Sequence, residues 1–387
     1  MTTATGGCGP AGLAAAVAAH LGRAVPPEWL AALEAVPRDR FLPSRVWLRD
    51  GHGGYRPCDR AAEPDRWRAA AWADGPVVVR VTEEPDGTVR PLSSASAPGT
   101  VLAMLAAADV RPGARVLEIG TGTGWHAGLL AARAGDAGVV SVELDGDLVA
   151  PARAALAAVG RHPLVRQGDG ADGWPAGAPY DRIIATCSVR AVPAAWVDQL
   201  APGGRLVTPW ASAWCAYGTL VAEPTPDGTL RGRWLAGGSY LPLRARADAA
   251  SGTVAAGPDP LAAPAEAAGL SPWAVAGDDY QAQAVTGLLT PGVWHVWDGA
   301  DDEPGVHARL WLYAEDDAGT AVVEVASDGT TTARQAGERR LWDEVVAGWR
   351  WWREAGAPAL SRFGLTRSAE GTVRVWLDTP DRPVPRR

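Results

Sequence analysis

Lysine is absent from this 387-residue chain, so each of its 36 basic residues is an arginine. Set against 44 acidic residues, they leave a formal net charge of −8 and a sequence pI of about 5.3. No basic stripe marks a binder of nucleic acid or of anionic lipid. Cysteine is scarce. Cys8, Cys58, Cys187 and Cys215 lie far apart with no Cys-x-x-Cys, which argues against a disulfide framework and for a reducing compartment. His52 and Cys58 have no further ligand at useful spacing, so no metal site is expected. Long apolar runs are missing as well: no segment reaches the ~18 residues of a membrane span. The first apolar stretch, Gly12 to Ala19, is Ala-rich with no cationic region before it, and reads as one helix face rather than an export signal. A cytoplasmic protein is expected, with neither nucleic acid nor membrane as partner. What is present, 47% hydrophobic and 21% charged residues, suffices for sizeable cores.

Leu13, Val17, Leu21, Trp29, Leu30, Leu33 and Val36 fall at helical spacing, with Pro26-Pro27 dividing two helices. Between 44 and 98, glycine, proline and charge surround two strand-like runs, Val77–Val81 and Val89–Leu92. The Asp86-Gly87 turn signal between them predicts a hairpin. From Thr100 to Pro209, short helices alternate with buried strands at 115–119, 139–143, 164–167, 181–186 and 205–209, which predicts an α/β fold with a Rossmann-like, doubly wound sheet. Residues 246–272, rich in Ala, Gly and Pro, read as a linker. The remainder mixes strand-like runs (Trp311–Tyr313, Ala321–Ala326, Val373–Leu377) with a helix, Leu341–Ala355, as in a small α+β domain. The expected organisation is an N-terminal helical and hairpin region on the substrate side (1–98), the α/β core (99–245), the linker (246–272) and a C-terminal accessory domain (273–387).

The chemistry starts at Val116-Leu-Glu-Ile-Gly-Thr-Gly-Thr-Gly-Trp-His126. Its glycines, 120, 122 and 124, follow a strand and open a helix. A dinucleotide fingerprint would need its third glycine where Trp125 stands, and a phosphate loop would need a lysine. Glycines let backbone approach a ligand closely, and a helix start offers N–H groups to an anion. Glu118-x-Gly-x-Gly-x-Gly resembles the first motif of class I S-adenosylmethionine-dependent methyltransferases. Glu143 ends the second strand, where an acid suits ribose hydroxyls. Asp169, in Gly168-Asp-Gly170, ends the third, where an acid suits the adenine amine. The resemblance implies S-adenosyl-L-methionine as cofactor, leaving as S-adenosyl-L-homocysteine. It would be held by Glu118, Gly120, Thr121, Gly122, Gly124, Glu143, Leu144, Asp169 and Gly170.

The flanks narrow the family. Val36-Pro-Arg-Asp-Arg-Phe-Leu-Pro43, Ser93-Ser-Ala-Ser-Ala-Pro98, Pro179-Tyr-Asp-Arg-Ile-Ile184 and Pro202-Gly-Gly-Arg-Leu-Val207 together resemble the protein L-isoaspartyl O-methyltransferase family over residues 30–210. Ser94-Ala-Ser-Ala-Pro98 stands at the family's Thr-Ile-Ser-x-Pro. Ser96 thus takes the place of its substrate-side hydroxyl, Ser94 replaces the threonine, and Ala95 implies a roomier pocket. Three features depart from the repair enzyme: a further domain, the missing Gly-His-Gly-Gln lead-in, and Ala185-Thr-Cys-Ser-Val-Arg190 followed by Val192-Pro-Ala-Ala-Trp196. These are similar to a divergent branch that accompanies ATP-grasp ligases in graspetide biosynthesis, as are Arg340-Leu-Trp-Asp343, Gly348-Trp-Arg350, Arg362-Phe-Gly-Leu-Thr366 and Val375-Trp-Leu377. A sister group tied to lanthipeptides and lasso peptides shares the core.

That resemblance implies O-methylation of an Asp side-chain carboxylate in a ribosomal peptide already cyclised by the ligase, leading to succinimide (aspartimide) or isoaspartate. The alternative it leaves is general repair of L-isoaspartyl proteins. A carboxylate is ionised at pH 7 and needs no general base, so Ser96 and Ser94 are expected to hold one carboxylate oxygen, with Ser93, Ser188 and Arg190 as further substrate contacts. A non-catalytic peptide-binding scaffold is disfavoured by the intact motif. Cys187 reads as a packing residue. His126 either flanks the cofactor or sits on a helix face, and Trp125 either shapes the methionine pocket or packs the helix. Trp349, Trp351 and Trp352 read as core before groove, and Asp298, Asp301, Asp302 and Glu303 as a solvated loop.

Overall fold

Proline opens the first helices of the computed structural model, which describes residues 9–51, 53–84, 87–244, 257–299 and 305–385. Helix α1 (Pro10–Leu21) has Pro at its first turn, where the missing N–H is no loss, and stops at Gly22 in the left-handed region. Helix α2 (Pro27–Ala35) begins on the second of the paired prolines, as the spacing predicts. Four antiparallel strands follow, β1 (Arg45–Arg49), β2 (Tyr55–Asp59), β3 (Val77–Glu83) and β4 (Val89–Ala95), in the order β2-β1-β3-β4. The last two are the expected hairpin. β1, β2 and helix α3 (Pro64–Trp72) are not announced by the sequence pattern, because the strands bury one residue each, Val46 and Cys58, paired across the ladder. Cys8, His52 and Asp86 lie outside the described residues.

Helix α4 (Pro98–Ala108) leads into β5 (Val116–Ile119), α5 (Trp125–Ala134), β6 (Val139–Glu143), α6 (Gly146–Ala158), β7 (Leu164–Gln167), β8 (Tyr180–Ala185), α7 (Ala194–Asp198) and β9 (Leu200–Ala211). The neighbours β7-β6-β5-β8-β9 are parallel throughout. Every residue of β5 and β6 is buried, as expected for a sheet covered on both faces. Leu13, Val17, Trp29 and Leu33 of the first helices share one core with Leu102, Leu105, Leu129 and Leu130. Parallel strands bring the loops after β5, β6, β7 and β8 to one edge, the place where open α/β sheets take ligands.

By internal packing the chain divides into two units, Met1–Thr208 with Val221–Pro226 and Tyr240–Ala249, and Pro209–Leu220 with Asp227–Ser239 and Ala250–Arg387. The division falls within β9 and within β10 (Ala216–Pro224). The second unit contains β11 (Leu230–Leu235), β12 (Glu266–Ala267), α8 (Trp273–Ala276), α9 (Tyr280–Leu289), β13 (Val293–Asp298), β14 (Val306–Ala314), β15 (Gly319–Ala326), β16 (Thr331–Gly337), α10 (Leu341–Glu354), β17 (Phe363–Arg367) and β18 (Val373–Leu377). Strands β12-β16-β15-β14-β13 form an antiparallel sheet whose Leu310, Leu312, Ala321 and Val323 pack with Leu341, Trp342 and Val345 of α10. Trp342 and Trp352 are buried, each indole N–H donating to a carbonyl, and Trp349, half-buried, packs against the cluster that holds Trp342. These tryptophans are core. Of the expected linker, 246–256 lies outside the described residues, as do Asp301, Asp302 and Glu303. Residues 257–272 include a 3-10 turn, Pro260–Ala262, and β12. Among the described residues no helix is long and apolar enough to cross a membrane.

Candidate active site

Three glycines shape the loop between β5 and α5, with φ of 93° at Gly120, 53° at Gly122 and 88° at Gly124. Side chains rarely adopt such φ values, and space is also short at Gly120 and tight at Gly124. A Cβ on Gly120 would stand 2.6 Å from Thr186 Oγ1, and one on Gly124 would stand 3.2 Å from Ala152 Cβ. On Gly122 it would meet only Ser93 Oγ, at 3.8 Å, so the turn is open there toward the serine segment. The Glu143 carboxylate accepts hydrogen bonds from Gly122 N (2.8 Å) and Asp145 N (3.0 Å). Burial raises its pKa above the ordinary carboxylate value, and those two amides oppose the rise. Leu144 follows it, half-buried. Asp169 caps the turn after β7, accepting from Ala171 N at 2.9 Å, and the Gly170 carbonyl accepts from Trp196 Nε1 at 2.8 Å. Glu143, Asp169 and the glycine turn therefore lie at successive strand ends, as the sequence implied.

Glu118 is placed differently. It is fully buried, and both carboxylate oxygens are taken within the protein. His126 Nδ1 lies 2.6 Å from one and Ser141 Oγ donates to the other, while Thr121 Oγ1 stands 2.5 Å from Ser141 Oγ. Thr121, Ser141, Glu118 and His126 thus form one buried hydrogen-bonded chain running from the turn to the core. The expectation that Glu118 touches cofactor is corrected to one of support for the turn from the core side. His126 is buried, with no hydrogen-bond partner at Nε2 among the described residues, and is no surface helix residue. Trp125 packs: its Nε1 donates to Val36 O at 3.0 Å.

On the substrate side, Ser93 and Ser94 end β4 and Ser96 follows, all three half-buried. Ser93 is in register with Arg80, which pairs with Asp145 at 3.2 Å and Asp147 at 2.9 Å, just beyond Glu143. That ion pair ties the hairpin to the loop after β6. Ser188 does not face open space. It is 3% exposed, its hydroxyl donates to Tyr240 O at 3.2 Å, and its backbone pairs with Leu241 and Leu243. Its expected substrate contact is replaced by an anchoring role for residues 240–243. Arg190, two residues on, is exposed. Burial pushes the Cys187 thiol up to about 12, which leaves it protonated and non-nucleophilic at neutral pH.

Two features escape sequence reasoning. Arg38 is 1% exposed and donates to five carbonyls, among them Ala95 and Ser96. In a chain where every cation is arginine, nothing singles it out. The segment Tyr240–Arg244 lies by the site, with Leu243 3.1 Å from the Cβ position of Gly170 and Arg244 holding the Glu143 pKa down. It belongs to no regular element and left no pattern to find.

A parallel sheet in this order, with a glycine turn after its central strand and acids closing the next two, defines a class I S-adenosylmethionine-dependent methyltransferase. The comparisons narrow the class. Residues 58–246 match the family described as protein-L-isoaspartate(D-aspartate) O-methyltransferase. Protein-L-isoaspartate O-methyltransferase 1 of Rhodopseudomonas palustris (strain HaA2) is 37% identical over 215 residues, covering 55% of this chain and 74% of that protein. The Protein-L-isoaspartate O-methyltransferase of Anaeromyxobacter dehalogenans (strain 2CP-C) is 40% identical over 196 residues, covering 47% and 86% respectively. The chain belongs to this family and is an S-adenosylmethionine-dependent carboxyl O-methyltransferase. A solved structure titled protein-L-isoaspartate O-methyltransferase matches 95% of this chain and 99% of its own, with a TM-score of 0.52 and 19% identity. Fold likeness to a protein of that title thus extends well past the methyltransferase region.

Proposed function

We propose that this methyltransferase modifies an aspartate side-chain carboxylate in a ribosomally made peptide that an ATP-grasp ligase has already cyclised, a graspetide precursor, in the cytoplasm. The observation that carries the carboxylate chemistry is the placement of Ser93 beside the open side of Gly122, with Ser94 and Ser96 in the same segment. The graspetide assignment rests on the Thr186–Arg190 run and on the motifs of the second unit, which resemble that branch.

The residues fit S-adenosylmethionine. The glycine cradle leaves Gly122 open, and the Glu143 carboxylate is drawn up to it. Gly120, Thr121, Gly122, Gly124, Glu143, Leu144, Asp169 and Gly170 would hold the group, which supplies an electrophilic methyl on a sulfonium. Ser96 and Ser94 hold one oxygen of the substrate carboxylate and leave the other directed at the turn. A neutral hydroxyl suits this, because an adjacent cation would stabilise the nucleophile in its ground state. Alignment and removal of water then lower the barrier. In the ester product, the next residue's backbone nitrogen attacks the ester carbonyl, methanol leaves and a five-membered succinimide closes. Ring constraints already in the peptide pre-organise that closure.

Repair of L-isoaspartyl proteins is the second reading. The curated relatives and the near full-length fold likeness to a structure of that title favour it. One experiment separates the two: mass spectrometry of the full chain with labelled S-adenosylmethionine, a linear precursor, its ligase-cyclised form and several unrelated L-isoaspartyl peptides. Gain of one methyl and then loss of methanol on the cyclised form alone is the expected result. Methylation of assorted isoaspartyl peptides, with none on the precursor, would establish repair.

A further inference from the structure

We propose that Arg38 and Asp74 are positioning residues for methyl transfer, a buried cation and a largely buried anion that fix the serine segment against the cofactor turn. The inference deepens the reading of Ser96 given above and rests on it. Arg38 Nη1 donates to Ala71 O (3.2 Å) and Ala73 O (3.0 Å), and Nη2 to Gly75 O (2.9 Å), Ala95 O (3.2 Å) and Ser96 O (3.1 Å). Among the described residues its guanidinium meets no carboxylate at hydrogen-bond distance, an unfavourable state for a core cation. An apolar side chain of similar volume would fill the same space. What arginine adds is a planar fork that sets two segments, 71–75 and 95–96, at a fixed separation.

Asp74 sits in the first of those segments and acts on the far end of the second. Its Oδ1 accepts from Gly99 N at 2.6 Å, at the start of α4, and its Oδ2 stands 3.0 Å from His20 Nδ1. Gly99 N is one of the N–H groups that a helix start leaves without an internal partner. An anion supplied there from another element satisfies it and suits the helix dipole. The space is tight: a Cβ on Gly99 would stand 2.6 Å from both Asp74 Oδ2 and the His20 ring. Residues 95–99 are thus gripped by the Ala95 and Ser96 carbonyls at one end and the Gly99 amide at the other. The same arginine reaches the cofactor side. Its Cζ lies 5.5 Å from the Trp125 ring centroid, and Trp125, the residue after Gly124, is bonded to Val36 O. Serine segment and glycine turn therefore share one frame.

The test uses the full chain and the variants Arg38→Lys, Asp74→Ala, Ser96→Ala and Arg38→Lys/Ser96→Ala. Three readouts apply: S-adenosylhomocysteine affinity by calorimetry, amide exchange over residues 94–102, and kcat and KM on the peptide that the mass spectrometry identifies. Arg38→Lys and Asp74→Ala are expected to keep cofactor affinity within about threefold, because neither side chain is hydrogen-bonded to the glycine turn. Exchange over 94–102 should speed up about tenfold. A small misplacement of reacting groups lowers kcat by about thirty- to a hundredfold while KM changes little. In the Ser96→Ala background, Arg38→Lys should cost less than about twofold more, because both changes remove the same alignment. Unchanged exchange, unchanged kcat or fully multiplicative losses would each overturn the proposal. Should Arg38→Lys not fold, Asp74→Ala decides by the same criteria. If Ser96→Ala keeps full activity while exchange still loosens in the other variants, the Ser96 reading fails, and positioning through it with it. Normal exchange beside a slow Ser96→Ala variant refutes the clamp alone.

Discussion

Gly120→Ala is the perturbation whose consequence the structure fixes most tightly. An alanine at φ 93° carries about 1–2 kcal/mol of backbone strain. Its Cβ would also stand 2.6 Å from Thr186 Oγ1, and that hydroxyl cannot simply swing away. It donates to Gly120 O at 2.6 Å and Ile119 O at 3.1 Å, holding the end of β8 to the turn. Displacing it forfeits about 1 kcal/mol more. A loss of about 2–3 kcal/mol falls on the binding-competent turn and weakens S-adenosylhomocysteine binding by about thirty- to a hundred-and-fiftyfold. Thr186→Ala alone loses only the hydrogen bond, about fivefold. In the double variant the clash is gone and that bond is lost once, so the combined cost should undershoot the sum by about 1 kcal/mol. Gly122→Ala is the control. With φ 53° and only Ser93 Oγ nearby at 3.8 Å, it carries strain alone, about 1 kcal/mol. Calorimetric titration of the full chain and its variants with S-adenosylhomocysteine, beside thermal unfolding without ligand, measures each quantity. Gly120→Ala binding within about twofold of wild type, or strict additivity with Thr186→Ala, would refute the close-approach account.

Glu143 has a pKa raised by burial, so without ligand it contributes stability at low pH that is lost as pH rises through the raised value. Ribose hydroxyls donate to the ionised form, so S-adenosylhomocysteine affinity should climb over that same interval, and Glu143→Gln should flatten the climb and weaken binding about tenfold at pH 7. An identical pH profile in the variant would be evidence against a ribose role. Cys187, with its thiol pushed up to about 12 by burial, should resist iodoacetamide in the native chain at pH 7.5 (an assay pH chosen about physiological) and react once unfolded. Stoichiometric native alkylation at that site, read by peptide mass mapping, would contradict the raised thiol pKa.

Much of the α/β unit is legible in the sequence because its strands are buried on both faces and its helices are short and bounded by proline or glycine. β7 occupies the expected Leu164–Gln167, and α4, beginning at Pro98, starts two residues ahead of the helix expected from Thr100. The first sheet is less legible. β1 and β2 each bury a single side chain, so they lack the alternation that announces a strand. The site divides similarly. The positions of Gly120, Glu143 and Asp169 are readable because each lies at or just past a strand end. Arg38 is not, because its partners at Ala71, Gly75 and Ser96 come together only in three dimensions.

Glu118 and Ser188 show why a motif names positions before it names roles. An acid in the strand before the glycine turn is required either by a ligand or by the turn itself, and the sequence looks the same in both cases. In the structure the buried carboxylate is matched by donors from His126 and Ser141, and Thr121 extends the chain back into the turn. A polar group so enclosed is costly unless its partners stay in place, so Thr121, Ser141 and His126 belong with Glu118 as one unit. Glu143 stands in the opposite situation, with its carboxylate satisfied by two backbone amides at the turn and its charge opposed by burial. Of the two acids, Glu143 alone is hydrogen-bonded to the turn's own backbone, and that placement is what makes it the one proposed to meet the ribose.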